Sequence, residues 1–329
     1  MRPLLAVDGL TKHFPLRGGL LNRTQAVVHA VDDVSFQVEA GETLGIVGES
    51  GCGKSTTARL LMHLVPLDRG TIAFDGKAIG AREALSRRGL HRQMQMVFQD
   101  SYASLNPRLP VATSIAFGPL VHGLAKSAAL SRARDLLDAV GLDPLLFANR
   151  YPHELSGGQR QRINVARALA LEPRLVILDE AVSALDKSIE AQVLNLLIDL
   201  KGRFDLTYVF ISHDLNVVRF ISNRVMVMYL GKVVEIGPVD PIYRKPKHPY
   251  TRALLSAMPS MDPSRRTMEA PLSGDPPNPI NPPSGCRFRT RCAFAEAVCA
   301  EVVPALAMDD DGRAVACHML TPGSGHSRA

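Results

Sequence analysis

Nine consecutive residues carry the densest chemistry in the sequence: Gly48-Glu49-Ser50-Gly51-Cys52-Gly53-Lys54-Ser55-Thr56. They fit the pattern G-x-x-x-x-G-K-[ST] and lie between a predicted buried strand, Leu44–Val47, and a predicted helix, Lys54–Met62. Glycines let backbone N–H groups turn inward around phosphate oxygens, and the start of the helix adds partial positive charge there. Lys54 is expected to reach the β- and γ-phosphates of a nucleotide, and the Ser55 hydroxyl to ligate Mg²⁺. Cys52 is read as a small residue of the loop.

A second segment narrows the chemistry. Arg174-Leu175-Val176-Ile177-Leu178 is an apolar strand ending in two carboxylates, Asp179 and Glu180. Asp179 is placed to hold the Mg²⁺ shell. Glu180, one residue beyond the strand, is placed to polarise an attacking water. A third segment is Leu155-Ser156-Gly157-Gly158-Gln159. Ser156 can cap the helix that starts here, and the two glycines leave bare N–H groups at its positive end. That makes a second phosphate-facing surface in a chain that already has one at Lys54. Either each surface serves a different nucleotide, or two chains sandwich one nucleotide between them.

With these three segments in order, the sequence resembles the ATP-binding-cassette (ABC) ATPase family over about residues 4–236. The resemblance implies ATP and Mg²⁺ as ligands, and a head-to-tail pair of cassettes with ATP between one chain's P-loop and the other's Leu155–Gln159 signature. It further implies that Gln99 senses Mg²⁺ and the attacking water, and that Ser183-Ala184-Leu185-Asp186 crosses the seam of the pair. His213 would contact the γ-phosphate, and Phe14 would stack on adenine where Tyr is the commoner choice. Catalysis would fall to Glu180, His213, Gln99 and Lys54, with Mg²⁺ held through Ser55, Gln99 and Asp179.

A finer resemblance is to the ATPases of oligopeptide and dipeptide importers, whose cargo also includes nickel and glutathione. It rests on Phe98-Gln99-Asp100-Ser101-Tyr102-Ala103-Ser104-Leu105-Asn106-Pro107-Arg108, where Ser101 replaces the usual Pro, and on His248-Pro249-Tyr250-Thr251 with Leu254-Leu255. The insertion after Phe14 is similar to that of the "F" partner in a D/F heterodimer. Ala181 and Lys187 depart from the commoner Pro and Val beside the seam.

The elements that must position these groups follow from the pattern of the chain. Helical spacing of Leu130, Leu136, Leu137 and Val140 predicts a helix over 127–140. Further helices are expected over 159–171 and 188–200, strands at 174–178 and 206–211, and a hairpin around Gly231. Short strands are expected at Leu4–Leu10 and Val34–Val38, split by a polar insertion at Arg17–Gln25. Alternating strands and helices imply a parallel sheet covered by helices. The fold class is therefore α/β: a RecA-like parallel-sheet core with an antiparallel β subdomain and a helical subdomain at about 101–170. Residues 1–237 would form the ATP-binding domain and 238–329 an extension. Prolines at 238, 241, 246 and 249, and again at 271, 276, 277, 279, 282 and 283, argue against regular helix or central strand there.

That extension carries Cys286, Cys292, Cys299 and Cys317, spaced C-x5-C-x6-C-x17-C, while Cys52 stands apart. Thiolates in fours suit Zn²⁺ or an iron–sulfur cluster. The spacing lacks C-x2-C hairpins and is similar to cluster-bearing extensions of some peptide-importer ATPases, which implies [4Fe–4S], with zinc or four free thiols as alternatives.

The chain has 329 residues, 46% of them hydrophobic, with a net charge of +6 spread along its length. It shows no apolar run long enough to span a membrane and no signal-like N-terminus. The charge gives no footprint for nucleic acid. The expectation is thus a motor subunit at the cytoplasmic face of a bacterial inner membrane. Its partners would be a sibling ATPase, two transmembrane permeases and an extracytoplasmic binding protein. Alternatives are a soluble ABC ATPase working on nucleic acid or ribosomes, or a non-hydrolysing regulatory cassette. The cargo itself is not written in this chain.

Overall fold

The computed structural model describes residues 2–18, 23–79, 86–258, 278–309 and 311–329. Its elements run β1 (Leu5–Gly18), β2 (Arg23–Val38), β3 (Thr43–Val47), α1 (Lys54–Leu61), β4 (Arg69–Phe74), β5 (Lys77–Ala78), α2 (Arg87–Gln93) and β6 (Met94–Val97). Then come α3 (Val111–Val121), α4 (Lys126–Ala139), α5 (Pro144–Phe147), α6 (Gly157–Leu169), β7 (Leu175–Asp179), α7 (Lys187–Phe204), β8 (Thr207–Ile211), α8 (Leu215–Ile221), β9 (Arg224–Tyr229) and β10 (Lys232–Pro238). The chain ends with α9 (Val239–Arg244), α10 (Pro249–Ser256), α11 (Ala297–Glu301), β11 (Ala307–Met308) and β12 (Ala314–Val315).

The main sheet has the order β11-β12-β10-β9-β3-β8-β7-β6. Its centre is parallel: β3 pairs with β8 and β9, and β7 with β6 and β8. Every residue of β3, β7 and β8 is buried, as strands covered on both faces require. Alternation along the strands divides the interior in two. Val176, Leu178, Tyr208 and Phe210 meet α6 and α7 through Ile163, Val193 and Leu197. Leu175, Ile177, Val209 and Ile211 face the opposite way, toward Leu60 and Leu61 of α1 and Leu5 and Leu10 of β1.

The second sheet, β2-β1-β4-β5, is antiparallel. Here the expected insertion at Arg17–Gln25 gives way to a long hairpin. β1 and β2 stay paired through Lys12↔Val31, Phe14↔Val28, Leu16↔Ala26 and Gly18↔Arg23. The outer arm is held by ladder hydrogen bonds and buries little: Leu16 is 44% exposed. It therefore lacks the apolar alternation that marks a half-buried strand. Residues 19–22 of the expected insertion lie outside the described residues.

Helices α3 to α6 form the helical region, α4 burying Ala129, Ala133, Leu136 and Leu137. The hairpin at Gly231 forms as expected, with Leu230 and Gly231 both at positive φ.

The proline-rich stretch is less irregular than its composition implies. Pro241 sits in the first turn of α9 and Pro249 opens α10. A missing N–H costs nothing there, because the first-turn N–H groups have no partner within the helix. His248 caps α10, its Nδ1 accepting the Tyr250 N–H at 3.0 Å. The extension also adds strands to the main sheet, with β12 antiparallel to β10 through Glu235↔Val315 and Ile236↔Ala314. The extension, expected to be irregular, thus carries short strands that continue the main sheet past β10. Pro271, Pro276 and Pro277 lie outside the described residues.

Candidate active site

The phosphate-type loop leaves β3 at Gly48 and enters α1 at Lys54. Its sharp reversal depends on two glycines. Gly53 has φ +106°, and a Cβ there would meet the Ala30 carbonyl oxygen at 2.2 Å. A Cβ on Gly48 would lie 2.2 Å from the Met228 carbonyl oxygen. Lys54 is almost fully buried, and its ammonium donates to the carbonyls of Gly48 at 2.7 Å and Glu49 at 3.0 Å. Cys52 is buried as well, its sulfur 3.8 Å from that ammonium. Burial pushes its thiol above the usual range despite the nearby lysine.

The carboxylate pair arrives at the end of β7. Ser55 Oγ donates to Asp179 Oδ1 at 3.0 Å, linking the first turn of α1 to the strand end. Burial raises the Asp179 pKa, partly offset by that hydrogen bond, with Glu180 adding a smaller upward push. A half-buried hydroxyl–carboxylate pair of this kind suits a hard divalent cation. Glu180 has the left-handed backbone φ of +49°, while its N–H still bonds Ile211 O at 2.9 Å. A non-glycine residue held there is strained, and such strain concentrates at functional positions. Its carboxylate accepts from Gln99 Nε2 at 2.9 Å, and His213 Nδ1 lies 3.5 Å away. Three residues from the ends of β6, β7 and β8 therefore meet at Glu180.

Phe14, Ser50, Gly51, Gly53, Lys54, Ser55, Thr56, Gln99, Glu180 and His213 all line one cleft of about 590 Å³. The sequence had picked out every one of these. It missed Val28 and Ala30 on the facing strand β2, and Pro279 from the extension. Pro279 accepts the His29 N–H at 3.0 Å, so the extension contributes to the wall beside Phe14. Nothing in the proline pattern distinguishes Pro279 from its neighbours.

The Leu155–Gln159 segment does not line this cleft. It forms the start of α6, with a reciprocal cap: Ser156 Oγ accepts from Gln159 N at 3.3 Å, and Gln159 Oε1 accepts from Ser156 N at 3.0 Å. That cap engages the N–H groups of Ser156 and Gln159. Ser183 Oγ donates to the Glu180 carbonyl at 2.9 Å, so the Ser183–Asp186 turn starts from the catalytic-type carboxylate. Lys187 then reaches Asp214 at 2.8 Å, joining that turn to the His213 loop.

Two sequence profiles match this chain: "ABC transporter" over residues 31–183, and "Oligopeptide/dipeptide transporter, C-terminal region" over residues 234–299. A probable peptide ABC transporter ATP-binding protein of Sinorhizobium fredii is 52% identical over 98% of this chain and 91% of its own length. The chain belongs to the ABC transporter ATP-binding proteins. An oligopeptide transport ATP-binding protein of Bacillus subtilis is 48% identical over 97% of this chain and 98% of its own. A glutathione import ATP-binding protein of Pectobacterium atrosepticum is 54% identical over 84% of this chain, which spans 45% of that longer protein. Among solved structures, a component of an ABC transporter complex of Clostridium perfringens superposes with a TM-score of 0.64, covering 74% of this chain and 92% of that one at 26% identity. A dimeric cassette bound to ADP and Pi superposes at 0.62, covering 71% of this chain and 98% of that one, also at 26% identity. This ABC ATPase has, among its described residues, no helix long and apolar enough to cross a membrane.

The four cysteines of the extension converge. Cys286, Cys292, Cys299 and Cys317 line one enclosed, mainly apolar pocket of about 10 Å³ with Phe288, Phe294 and His248. The Cys286 N–H bonds the Cys299 carbonyl at 2.8 Å. Burial pushes the Cys286 thiol up to about 11 and raises Cys292 and Cys317. No three of these sulfurs lie within 4.8 Å of one another. Four sulfurs around one tetrahedral ion, each ~2.3 Å from it, would sit closer. Neither this spacing nor a cavity of about 10 Å³ shows a fit to a bound ion or cluster. His13, His29 and Asp32 do bring three ligand atoms within 4.8 Å. Asp32, however, is ion-paired with Arg287 and lies 3.7 Å from Lys232, and those charges disfavour a cation.

Proposed function

We propose that this ABC ATPase is the motor of a peptide importer and works as one of two cassettes that close on ATP. The observation that carries the reading is the joining, in one chain, of an intact hydrolytic cleft to the oligopeptide/dipeptide transporter C-terminal region. Relatives bearing peptide-import names align over nearly the whole chain. Phe14 would stack on adenine while Gly48 to Thr56 wrap the phosphates. Ser55, Asp179 and Gln99 would hold Mg²⁺, with Lys54 on the β- and γ-phosphates. Glu180 would orient water for in-line attack, and His213 and Lys54 would stabilise the developing charge.

The signature residues Leu155 to Gln159 would serve the partner cassette's ATP. Their place outside the chain's own cleft, at the capped start of α6, supports this reading. The partner is proposed to be a sibling ATPase, with this chain in the F role. Two permeases would dock on the helical region, where Phe117 is 60% and Val121 53% exposed. An extracytoplasmic binding protein would deliver the peptide, placing this subunit at the cytoplasmic face of the inner membrane. The domain division is proposed at about residue 237, in the last residues of β10. The four cysteines would hold a [4Fe–4S] cluster, which would cross-link the extension. A visible absorption band and about four irons per chain after anaerobic purification are expected. A colourless, metal-free protein with its fold intact rejects the cluster, and zinc in its place rejects its identity.

The central experiment is ATP hydrolysis by the assembled transporter in proteoliposomes with Glu180→Gln. Turnover is expected to fall by about 10²-fold or more while ATP binding persists. Unchanged turnover rejects the role given to Glu180. Hydrolysis stimulated by no di- or oligopeptide rejects the proposed cargo class.

A further inference from the structure

Glu49 is the second residue of the phosphate loop, and the structure accounts for all of its polar groups. Its carbonyl accepts from Lys54 at 3.0 Å. Its N–H donates to the Tyr250 hydroxyl at 3.0 Å. Its carboxylate receives both arms of the Arg291 guanidinium, Nη1 to Oε2 at 2.8 Å and Nη2 to Oε1 at 3.2 Å. Two of these three attachments come from the extension, more than 200 positions along the chain. Arg291 is 6% exposed and Glu49 22%, so water cannot readily replace either partner.

The setting gives this pair a consequence for nucleotide. A carboxylate on the loop that wraps a triphosphate repels it unless the charge is neutralised. A two-armed guanidinium neutralises it and also fixes its direction, which a lysine ammonium cannot do. The loop is rich in glycine and loses much backbone freedom when ordered. Anchoring Glu49 at three points orders the loop before nucleotide arrives. The anchor is itself well supported. Arg291 lies in the turn between Cys286 and Cys292, where its N–H bonds the Phe288 carbonyl and the Cys292 N–H bonds the Arg289 carbonyl. Phe288 in that turn packs against Tyr229, Tyr250 and His248.

We infer that Arg291, assisted by Tyr250, is a positioning residue for ATP binding: the extension reaches across to hold and neutralise the phosphate loop through Glu49. This rests on the assignment of Gly48–Thr56 as the phosphate loop. A region with no chemistry on ATP thereby sets the affinity of the site that has it.

The test is equilibrium binding of Mg-ATP to the full chain, with Lys54→Ala as the control for the loop assignment. Arg291→Gln is expected to weaken binding by about 10- to 100-fold. The double variant Glu49→Gln/Arg291→Gln is expected to regain at least half of that loss on a logarithmic scale, because the stranded carboxylate is gone. Arg291→Lys should fall between wild type and Arg291→Gln. Tyr250→Phe, which keeps the ring and loses only the hydroxyl, should weaken binding by about three-fold. In the assembled transporter the loss should appear in KM for ATP, with kcat little changed. Wild-type affinity in Arg291→Gln overturns the inference. So does a double variant as weak as the single one, since that pattern reports only a damaged extension. If Arg291→Gln does not fold, wild-type affinity in Tyr250→Phe together with wild-type affinity in Glu49→Gln overturns it. ATP binding by Lys54→Ala at wild-type strength would instead reject the loop assignment.

Discussion

The ATP cleft and the four-cysteine pocket are built on opposite plans. The cleft gathers Phe14, Lys54, Gln99, Glu180 and His213 from five distant segments: Phe14 from within β1, the others from the end of a strand or the start of a helix. It is open, polar and strained at Glu180. The pocket takes its cysteines from 32 residues of loop, turn and short helix, and it is closed and apolar. A dispersed site depends on the sheet for its geometry. The compact one rests on elements too short to hold a core of their own.

The sharpest way to break that contrast is at Gly53. With φ +106° and a carbonyl oxygen 2.2 Å from any added Cβ, Gly53→Ala must move the loop or β2. Loss of ATP binding by about 100-fold or more is expected. The destabilisation, read from a denaturant midpoint, should be about 2–4 kcal/mol. Cysteine accessibility in the extension should stay unchanged. Cysteines that become reactive to a thiol reagent in this variant would show that the two regions unfold together.

The converse perturbation is Cys299→Ala, at a buried residue of the pocket. It is expected to expose the remaining three cysteines to thiol reagents and to lower stability by about 2 kcal/mol or more. ATP binding should weaken only about three- to ten-fold, through the Arg291 turn. A loss as large as that of Gly53→Ala would erase the distinction between a site and its brace.

Legibility in the sequence followed the same division. Gly48–Thr56, Asp179-Glu180 and Ser156–Gln159 could be read because each sits at a strand end or a helix start, and the required backbone shape restricts the residues to glycine, a cap or a carboxylate. Gln99 and His213 carry no such mark. Their order relative to those motifs identified them, and the structure then brought both to Glu180. The long arm of β1 and β2 escaped because it is held by backbone pairing and buries little. Helices α9 and α10 escaped because proline excludes helix interiors but favours first turns. Arg291 escaped for a different reason: an arginine beside a cysteine carries no local sign of a glutamate 242 positions earlier.

A smaller effect is expected at the signature. A Cβ on Gly158 would lie 2.5 Å from Ile189 Cγ2, where α6 crosses α7. Gly158→Ala should cost about 1–3 kcal/mol by overpacking, with the chain's own ATP binding intact. Ile189→Ala in the same chain should recover part of that loss in a denaturant titration. Additive losses would mean that Gly158 is required for its exposed N–H and not for helix packing.

The smallest expected effect distinguishes the seam from both regions. Lys187 is 76% exposed and bridges Glu190 at 2.9 Å and Asp214 at 2.8 Å. Asp214 in turn caps α8 by accepting the N–H groups of Asn216 and Val217, next to His213. Exposed pairs contribute little to stability, so Lys187→Val should change it by less than about 1 kcal/mol. Its consequence should lie in hydrolysis. The bridge ties the turn after Glu180 to the loop bearing His213, and salt screens an exposed bridge. Wild-type turnover in the assembled transporter should therefore fall modestly as ionic strength rises, while the Lys187→Val transporter responds less. Equal salt responses would leave Lys187 as a surface pair with no hold on His213, and the cleft would then owe the placement of that histidine to β8 alone.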